Sequence, residues 1–194
     1  MERPPGGRPG VLVDRDGTLI RNVGYLSRLE QMEILPLVPA ALRLLRRHGL
    51  KVAVITNQSA VARGLLTEAG LLQIHRELER RLRAHGAFLD AIYYCPHHPT
   101  EGIQPYRISC ECRKPEVAMA RRAAADLDLD LGRCYVIGDQ LSDMEFAARL
   151  GARGILIQDE KAESRGPREA EECLPVRNLW EAAGRTVQDL QKKG

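Results

Sequence analysis

Short, continuous runs of apolar residues recur along the chain, separated by longer segments of mixed character. Each run is three or four residues long, and many of its members are β-branched. Apolar runs of this kind are typical of strands that are covered on both faces of a sheet. The pattern therefore predicts five buried strands, over residues 11–13, 52–55, 91–94, 134–137 and 155–157.

The longer segments carry apolar residues at helical spacing. One of them ends at the turn His48-Gly49, and the next begins at Thr67, a residue suited to capping a helix, with Glu68 in its first turn. Further helices are predicted over 118–125, 144–150 and 179–190. Because strands and helices alternate, we expect right-handed crossovers and an α/β fold, a three-layer, Rossmann-like parallel sheet.

Two stretches interrupt this alternation, residues 19–39 and residues 95–112, and each is too short to form a domain. The 194 residues fit one compact domain. We expect a flexible lead-in over residues 1–10, which hold three prolines and three glycines. A single domain over residues 11–194 follows, with the loop 95–112 inserted into it.

Composition excludes several classes of function. The 29 Lys and Arg residues against 26 Asp and Glu leave a net charge of +3, and 4% of residues are aromatic, which argues against a nucleic-acid partner. The chain has neither an apolar run near the roughly 18 residues of a membrane span nor the apolar core of a signal peptide. We therefore expect a cytoplasmic monomer with no membrane partner. The histidines at 48, 75 and 85 are predicted at surface or capping positions.

Polar clusters lie where ligands bind in parallel sheets. The carboxyl ends of the strands form the ligand-binding edge of an open α/β sheet, so residues that follow the strands are expected to meet there. Four clusters qualify: Asp14-Arg15-Asp16-Gly17-Thr18, Thr56-Asn57-Gln58-Ser59, Arg113-Lys114, and Gly138-Asp139 with Asp143.

The side chains in these clusters suit phosphoryl transfer. Asp14 can attack phosphorus to form an aspartyl-phosphate, and Asp16 can act as general acid and base. Two carboxylates would repel a phosphate, so a cation is required; Asp14, Asp139 and a backbone carbonyl near Asp16 form an oxygen set suited to Mg²⁺. Lys114 and the hydroxyl of Thr56 can stabilise the transferred group.

The four clusters, taken in this order, resemble the motifs of the haloacid dehalogenase superfamily of phosphatases, over about residues 11–156. The resemblance implies that Asp14 is the nucleophile, that Asp16 is the acid and base, and that Mg²⁺ is held by Asp14, Asp16 and Asp139. The intervals between the motifs are too short for a large cap domain. A capless member of the superfamily is therefore expected.

Soft metal ligands are concentrated in the loop 95–112. The sequence pairs C-x-H and C-x-C suit a tetrahedral, structural Zn²⁺. His98 competes with His97 for the fourth position, and the spacing favours His97. The alternative is a set of buried cysteines beside a loop histidine. Because the loop ends at Arg113, zinc would fix the direction of the cations there. The predicted ligands are Cys95, His97, Cys110 and Cys112.

The same loop narrows the resemblance. Segments 93–99, 110–115 and 56–64 are similar to the D-glycero-D-manno-heptose 1,7-bisphosphate phosphatase family, which removes the 7-phosphate while the heptose of bacterial lipopolysaccharide or surface glycans is built. The chain departs from some members in having Gln140 instead of Lys. The resemblance implies that Arg113 recognises this small-molecule substrate, with contacts at Asn22, Val23, Gly24, Tyr25, Thr56, Asn57, Gln58, Ser59, Arg113 and Lys114.

Two alternatives stay open. The first is a phosphatase for histidinol phosphate or another small phosphomonoester, and a kinetic panel would distinguish it. The second is a non-catalytic, zinc-stabilised binding module. The joint presence of Asp14, Asp16, Lys114 and Asp139 speaks against that module, because binding alone would not require all four.

Overall fold

Five parallel strands form one sheet in the order β3-β2-β1-β4-β5, and all strands of the described ranges belong to it. The computed structural model describes residues 6–158 and 175–192. Each predicted strand is confirmed to within two residues at either end. The strands are β1 (Gly10–Val13), β2 (Lys51–Asn57), β3 (Ala91–Cys95), β4 (Tyr135–Gly138) and β5 (Arg153–Leu156).

The helices connect these strands. The cap predicted at Thr67 is confirmed, since its side chain accepts a hydrogen bond from the backbone N–H of Gly70 at 3.1 Å. Single 3-10 turns lie at Leu29–Gln31 and Leu131–Arg133. The helices are α1 (Val38–Arg47), α2 (Ser59–Ala62), α3 (Glu68–Ala84), α4 (Ala118–Leu127), α5 (Leu141–Leu150) and α6 (Leu179–Gln191).

The sheet has a hydrophobic core on each face, which confirms the three-layer fold. Successive side chains of a strand point to opposite faces. On the central strand β1, Val11 and Val13 pack with residues of α1, α3 and α6, whereas Leu12 packs with residues of α4 and α5. All three side chains are fully buried. Continuous apolar runs are needed here because both faces are covered.

The irregular segments are anchored to this framework. Residues 19–39 run between β1 and α1 and include a bridge between Ile20 and Ile34. In the predicted lead-in, the backbone of Arg8 pairs with Asp128 and Asp130. Cys173, to which the sequence assigned no role, lies outside the described residues. Among the helices in the described ranges, none is long and apolar enough to cross a membrane.

Candidate active site

The polar clusters meet at the carboxyl edge of the sheet. Asp14 follows β1, Thr56 and Asn57 end β2, and Asp139 follows β4. These three strands are neighbours, with Val13 beside Val54 and Ile137, so their ends open onto one cavity of about 440 Å³. Its lining includes Asp14, Asp16, Thr56, Asn57, Gln58, Ser59, Arg113, Lys114, Asp139 and Asp143.

Lys114 lies between two carboxylates of this cavity. Its Nζ donates to Asp14 Oδ1 and to Asp143 Oδ1, each at 2.6 Å, and all three side chains are at most 10% exposed. Burial raises the pKa of Asp14 to about 7, although the Lys114 charge opposes this rise. Burial acts to lower the pKa of Lys114, but Asp14 and Asp143 outweigh it and raise that pKa, so Lys114 is a cation.

Two glycines leave room for carboxylates of the site, Gly17 for that of Asp139 and Gly138 for that of Asp143. A Cβ at Gly17, where φ is +81°, would overlap the Asp139 carboxylate, and a Cβ at Gly138 would overlap that of Asp143. Asp139 Oδ2 accepts from Gln140 Nε2 at 2.9 Å, while the buried Oδ1 has no hydrogen-bond partner among the described residues. Burial also raises the pKa of Asp139. The oxygen atom without a partner marks a position where a cation is favoured.

The carboxylates fit a hard divalent cation. Asp14, Asp139 and Asp143 each offer an oxygen within 4.8 Å of the others. Only one ammonium group, that of Lys114, lies among these three carboxylates in the described structure. Mg²⁺ takes oxygen ligands and is usually bound through one or two carboxylates, with waters and substrate phosphates completing its shell. The side chain of Asp16 lies outside this set of three carboxylates.

Asp16 is instead held by a buried arginine and an amide. Arg15, 1% exposed, donates through Nε to Asp16 Oδ2 and through a terminal nitrogen to Asp16 Oδ1, both at 3.1 Å. Gln58 Nε2 donates to Asp16 Oδ2 and to Thr56 Oγ1, both at 2.8 Å. These bonds fix the Asp16 carboxylate at the cavity wall.

His75 contradicts the prediction made for it. It lies on α3 with only 5% exposure, and Arg15 lies 3.1 Å from its Nε2. Periodicity placed His75 on a helix but did not show that the adjoining core contains a charged side chain. A polar helix residue is buried here because Arg15, itself buried, requires an acceptor.

The backbone of Lys114 is fixed by the end of β2. Asn57 Oδ1 accepts from the Lys114 N–H at 3.0 Å, and Asn57 Nδ2 donates to the Lys114 carbonyl at 3.1 Å. Next to it, Arg113 donates through one nitrogen to Ser59 Oγ at 3.0 Å and to the carbonyl of His97 at 2.9 Å. Both cations are therefore tied to the segment that follows β2.

The four predicted soft ligands converge beside Arg113. Cys112 Sγ lies 3.1 Å from the Sγ atoms of Cys95 and Cys110, and His97 Nδ1 lies 3.3 Å from Cys112 Sγ. Zinc–sulfur bonds of about 2.3 Å give a tetrahedron with edges of about 3.8 Å, so a modest expansion would admit the ion. His98 does not belong to this cluster of ligand atoms, and its Nδ1 accepts from the backbone N–H of Glu101. The arrangement fits a closed, structural zinc site.

The loop after β1 forms part of the cavity rim. Asn22, Gly24 and Tyr25 line the cavity, and Asn22 Oδ1 accepts from the Gly24 N–H at 2.9 Å. Val23, predicted with them, is 40% exposed and lies outside the described lining. Tyr25 is also half-exposed and is covered on one face by the Arg63 guanidinium, 5.1 Å from the ring centroid.

Sequence reasoning did not assign roles to three residues of the site. Asp143 was noted four residues after Asp139 but not as a ligand, and its helical position provides the missing signal. Because Asp143 is the third residue of α5, it reaches back to the Gln140 N–H at 3.1 Å and turns its other oxygen to Lys114. Arg15 and His75 gave no signal, since a basic residue between two aspartates is ordinarily solvated.

The fold and the carboxylate cluster define a class of protein. A sequence profile of the family described as HAD-hydrolase-like matches residues 111–182. The crystal structure of D,D-heptose 1,7-bisphosphate phosphatase from B. bronchiseptica, complexed with magnesium and phosphate, has a TM-score of 0.79 and 31% identity, covering 93% of this chain and 99% of that one. The fold is that of the haloacid dehalogenase-like hydrolases, as the motifs predicted.

Curated relatives narrow the class. The D-glycero-beta-D-manno-heptose-1,7-bisphosphate 7-phosphatase of Photorhabdus laumondii is 37% identical over 157 residues, which are 80% of this chain and 83% of that protein. Its namesake from Escherichia coli strain K12 is 37% identical over 155 residues, 79% and 81% of the two chains. The chain belongs to this family of phosphatases.

Proposed function

We propose that the protein hydrolyses the 7-phosphate of D-glycero-D-manno-heptose 1,7-bisphosphate through an aspartyl-phosphate, with Mg²⁺ bound. One observation carries the proposal: Asp14, Asp16, Thr56 and Lys114 line a single polar cavity at the carboxyl edge of the sheet. The similarity to relatives that bear the name of this activity supports the substrate. We also propose that the enzyme is a monomer and acts in the cytoplasm, as expected from the sequence.

In the first half of the reaction, an Asp14 oxygen attacks phosphorus while the bond from phosphorus to the sugar oxygen breaks. The sugar oxygen takes a proton from the carboxylic acid form of Asp16, and the dephosphorylated sugar leaves. The geometry supports this division of roles, because Asp16 is held by Arg15 and Gln58 while Asp14 contacts Lys114.

In the second half, a water molecule attacks the phosphorus of the aspartyl-phosphate. Asp16, now a carboxylate, accepts the proton from that water, the bond between phosphorus and the Asp14 oxygen breaks, and inorganic phosphate leaves. Both Asp14 and Asp16 return to their starting protonation states, so one phosphomonoester and one water give one alcohol and one phosphate.

Cations compensate the negative charge of the phosphate. Lys114, buried and positively charged, is placed to stabilise the equatorial oxygens of the transferred group together with Thr56 Oγ1. Asp14, Asp139 and Asp143, with the backbone carbonyl of Asp16, would hold Mg²⁺. When bound, Mg²⁺ neutralises the carboxylates and orients the phosphate for in-line attack.

Arg113 and the cavity rim are proposed to bind the rest of the substrate. The guanidinium of Arg113 is fixed by two neutral acceptors, Ser59 Oγ and the His97 carbonyl. Neither bond cancels the positive charge of Arg113. The predicted contacts Asn22, Gly24 and Tyr25 line the same cavity. A doubly phosphorylated sugar would thus meet two cations in this cavity, the partly exposed Arg113 and the buried Lys114.

Replacing the nucleophile tests the proposal. Asp14→Asn should reduce phosphate release from heptose 1,7-bisphosphate by at least about a thousandfold, because it removes the attacking oxygen. Circular dichroism should show that the fold survives. The matched control is Asp90→Asn, an aspartate on the far end of the sheet that bonds Lys51 and should leave turnover unchanged. Undiminished turnover in Asp14→Asn would reject the mechanism.

The substrate is tested by a kinetic panel with Mg²⁺ present. We expect kcat/KM to be highest for one of the two anomers of heptose 1,7-bisphosphate and lower for histidinol phosphate. A higher kcat/KM for histidinol phosphate would reject the heptose assignment and leave the phosphatase chemistry in place.

A further inference from the structure

We propose that His75 is a positioning residue for the proton transfers made by Asp16, acting through Arg15. Three contacts connect His75 to Asp16. Arg15 contacts His75 through one nitrogen and both oxygens of Asp16 through two others. The inference deepens the proposed function and rests on it, because it concerns the general acid and base of that reaction.

The direction of the first contact follows from the chemistry of arginine. A guanidinium has only donors, so the Arg15 nitrogen 3.1 Å from His75 Nε2 donates and the imidazole accepts. His75 is therefore neutral, with its proton on Nδ1. Its surroundings agree with this state: burial, followed by the Arg15 charge, lowers the pKa of His75 to about 3.

Arg15 has no freedom to adopt another position. It is the largest fully buried side chain among the described residues, and its nitrogens are distributed over three partners. Besides Asp16 and His75, it donates to Gln58 Oε1 at 2.7 Å. The amide of Gln58 in turn donates to Asp16 Oδ2 and to Thr56 Oγ1. Loss of the His75 acceptor would leave one buried guanidinium nitrogen of Arg15 without its partner. The guanidinium could then rotate and disturb its two hydrogen bonds to Asp16.

His75 is suited to this position by its helix. It lies on the buried face of α3 among Leu71, Ile74 and Leu78, and its ring packs on Tyr94 with centroids 5.5 Å apart. A rigid helix and a contact between tilted rings fix the acceptor more closely than a loop would. The polar contact on an otherwise apolar face therefore serves the site as well as the core.

The test compares two substitutions that differ in the acceptor. His75→Phe keeps a ring against Tyr94 but removes the acceptor, whereas His75→Gln restores an acceptor oxygen. For His75→Phe we expect kcat/KM on the sugar phosphate chosen by the kinetic panel to fall about tenfold to a hundredfold, a part of what general acid catalysis supplies. His75→Gln should recover to within about threefold of the parent.

The leaving group separates positioning from general damage. kcat/KM covers the steps up to loss of the leaving group, and p-nitrophenolate leaves without a proton. For p-nitrophenyl phosphate, His75→Phe should therefore keep its kcat/KM within about threefold of the parent. Equal losses on both substrates, or no loss on the sugar phosphate, would overturn the proposal. Leu82→Ala, two turns away on α3 and fully buried, is the control for lowered stability and should show neither pattern of loss.

A double-mutant cycle completes the test. If His75 acts through Asp16, adding His75→Phe to Asp16→Asn should change kcat/KM no further. Additive losses would show that His75 acts elsewhere and would reject the proposal. Failure of the proposed function is seen separately, as retained activity in Asp14→Asn in the same assay.

Discussion

Several charged side chains of the site are held by groups from distant parts of the sequence. Lys114 contacts Asp14, and the two are 100 residues apart; Arg15 contacts His75, 60 residues away. Such pairs place opposite charges, or a charge and a neutral acceptor, in a buried setting where an unpaired ion would cost several kcal/mol. The reactive arrangement is therefore also a condition for folding.

The neutral state of His75 gives the protein a pH-dependent stability. Its pKa is about 3 in the fold and about 6.5 when unfolded, so below pH 6.5 the unfolded chain binds a proton that the folded chain does not. Stability is fully present above pH 6.5 and is lost as pH falls towards 3. Urea unfolding should show a loss of up to about 1.4 kcal/mol per pH unit between pH 6 and 5 from this group.

The variant His75→Gln isolates that contribution, because glutamine accepts a hydrogen bond and does not titrate. We expect the slope of unfolding free energy against pH to be shallower in this variant over pH 6 to 5. His48→Gln, an exposed histidine whose Nδ1 contacts the Leu44 carbonyl, is the matched control and should keep the parent slope. An unchanged slope in His75→Gln would contradict a neutral, buried imidazole.

At the scale of elements, the segment between β3 and α4 connects the soft-ligand cluster to the cavity. Cys95 is the last residue of β3, and Cys112 is followed directly by Arg113 and Lys114. The carbonyl of His97 accepts from Arg113 at 2.9 Å. The cluster thus closes the loop and sets the point from which both cations project.

Zinc removal should act on both stability and catalysis. The pair Cys110→Ser and Cys112→Ser should lower zinc content from about one equivalent to near none, measured by elemental analysis after dialysis. We expect a lower melting temperature and a fall in kcat/KM of about tenfold, because Arg113 loses its fixed acceptor.

Cys134→Ser provides the control for this change. Cys134 is fully buried between the 3-10 turn Leu131–Arg133 and β4, and it is no part of the soft-ligand cluster. Its replacement should leave the zinc content unchanged. A metal-free parent protein with full activity would contradict a structural role for zinc.

At the scale of the whole molecule, the carboxylate cluster should make stability depend on Mg²⁺. A ligand that binds only the folded state at a hundred times its Kd stabilises by about 2.7 kcal/mol, which raises the melting temperature of a chain of this size by about 5 to 10 °C. Differential scanning fluorimetry should show this shift in the parent and lose it in Asp139→Asn. Glu33→Gln, an exposed carboxylate paired with Arg21, should keep the shift. Equal shifts in both variants would contradict magnesium binding by Asp139.

Much of this architecture could be predicted from the sequence. The strands were found because parallel strands covered on both faces require unbroken apolar runs, as in Val11, Leu12 and Val13. The carboxyl edge followed from topology, which brought Asp14 and Asp139 together. Long-range side-chain contacts could not be found in this way. Neither periodicity nor spacing shows that Arg15 turns inward to His75 or that Asp143 reaches Lys114.

The burial of Arg15 has a consequence for engineering this protein. Because Arg15 belongs both to the interior and to the catalytic site, substitutions of the residues in direct contact with Arg15 or His75 will also change kinetics. Attempts to raise heat resistance are therefore better directed to the core on the opposite face of the sheet, beneath α4, to which α3 contributes no residue. The residues around Arg15 therefore tolerate fewer substitutions than their burial alone would require, because each substitution must preserve catalysis as well as packing.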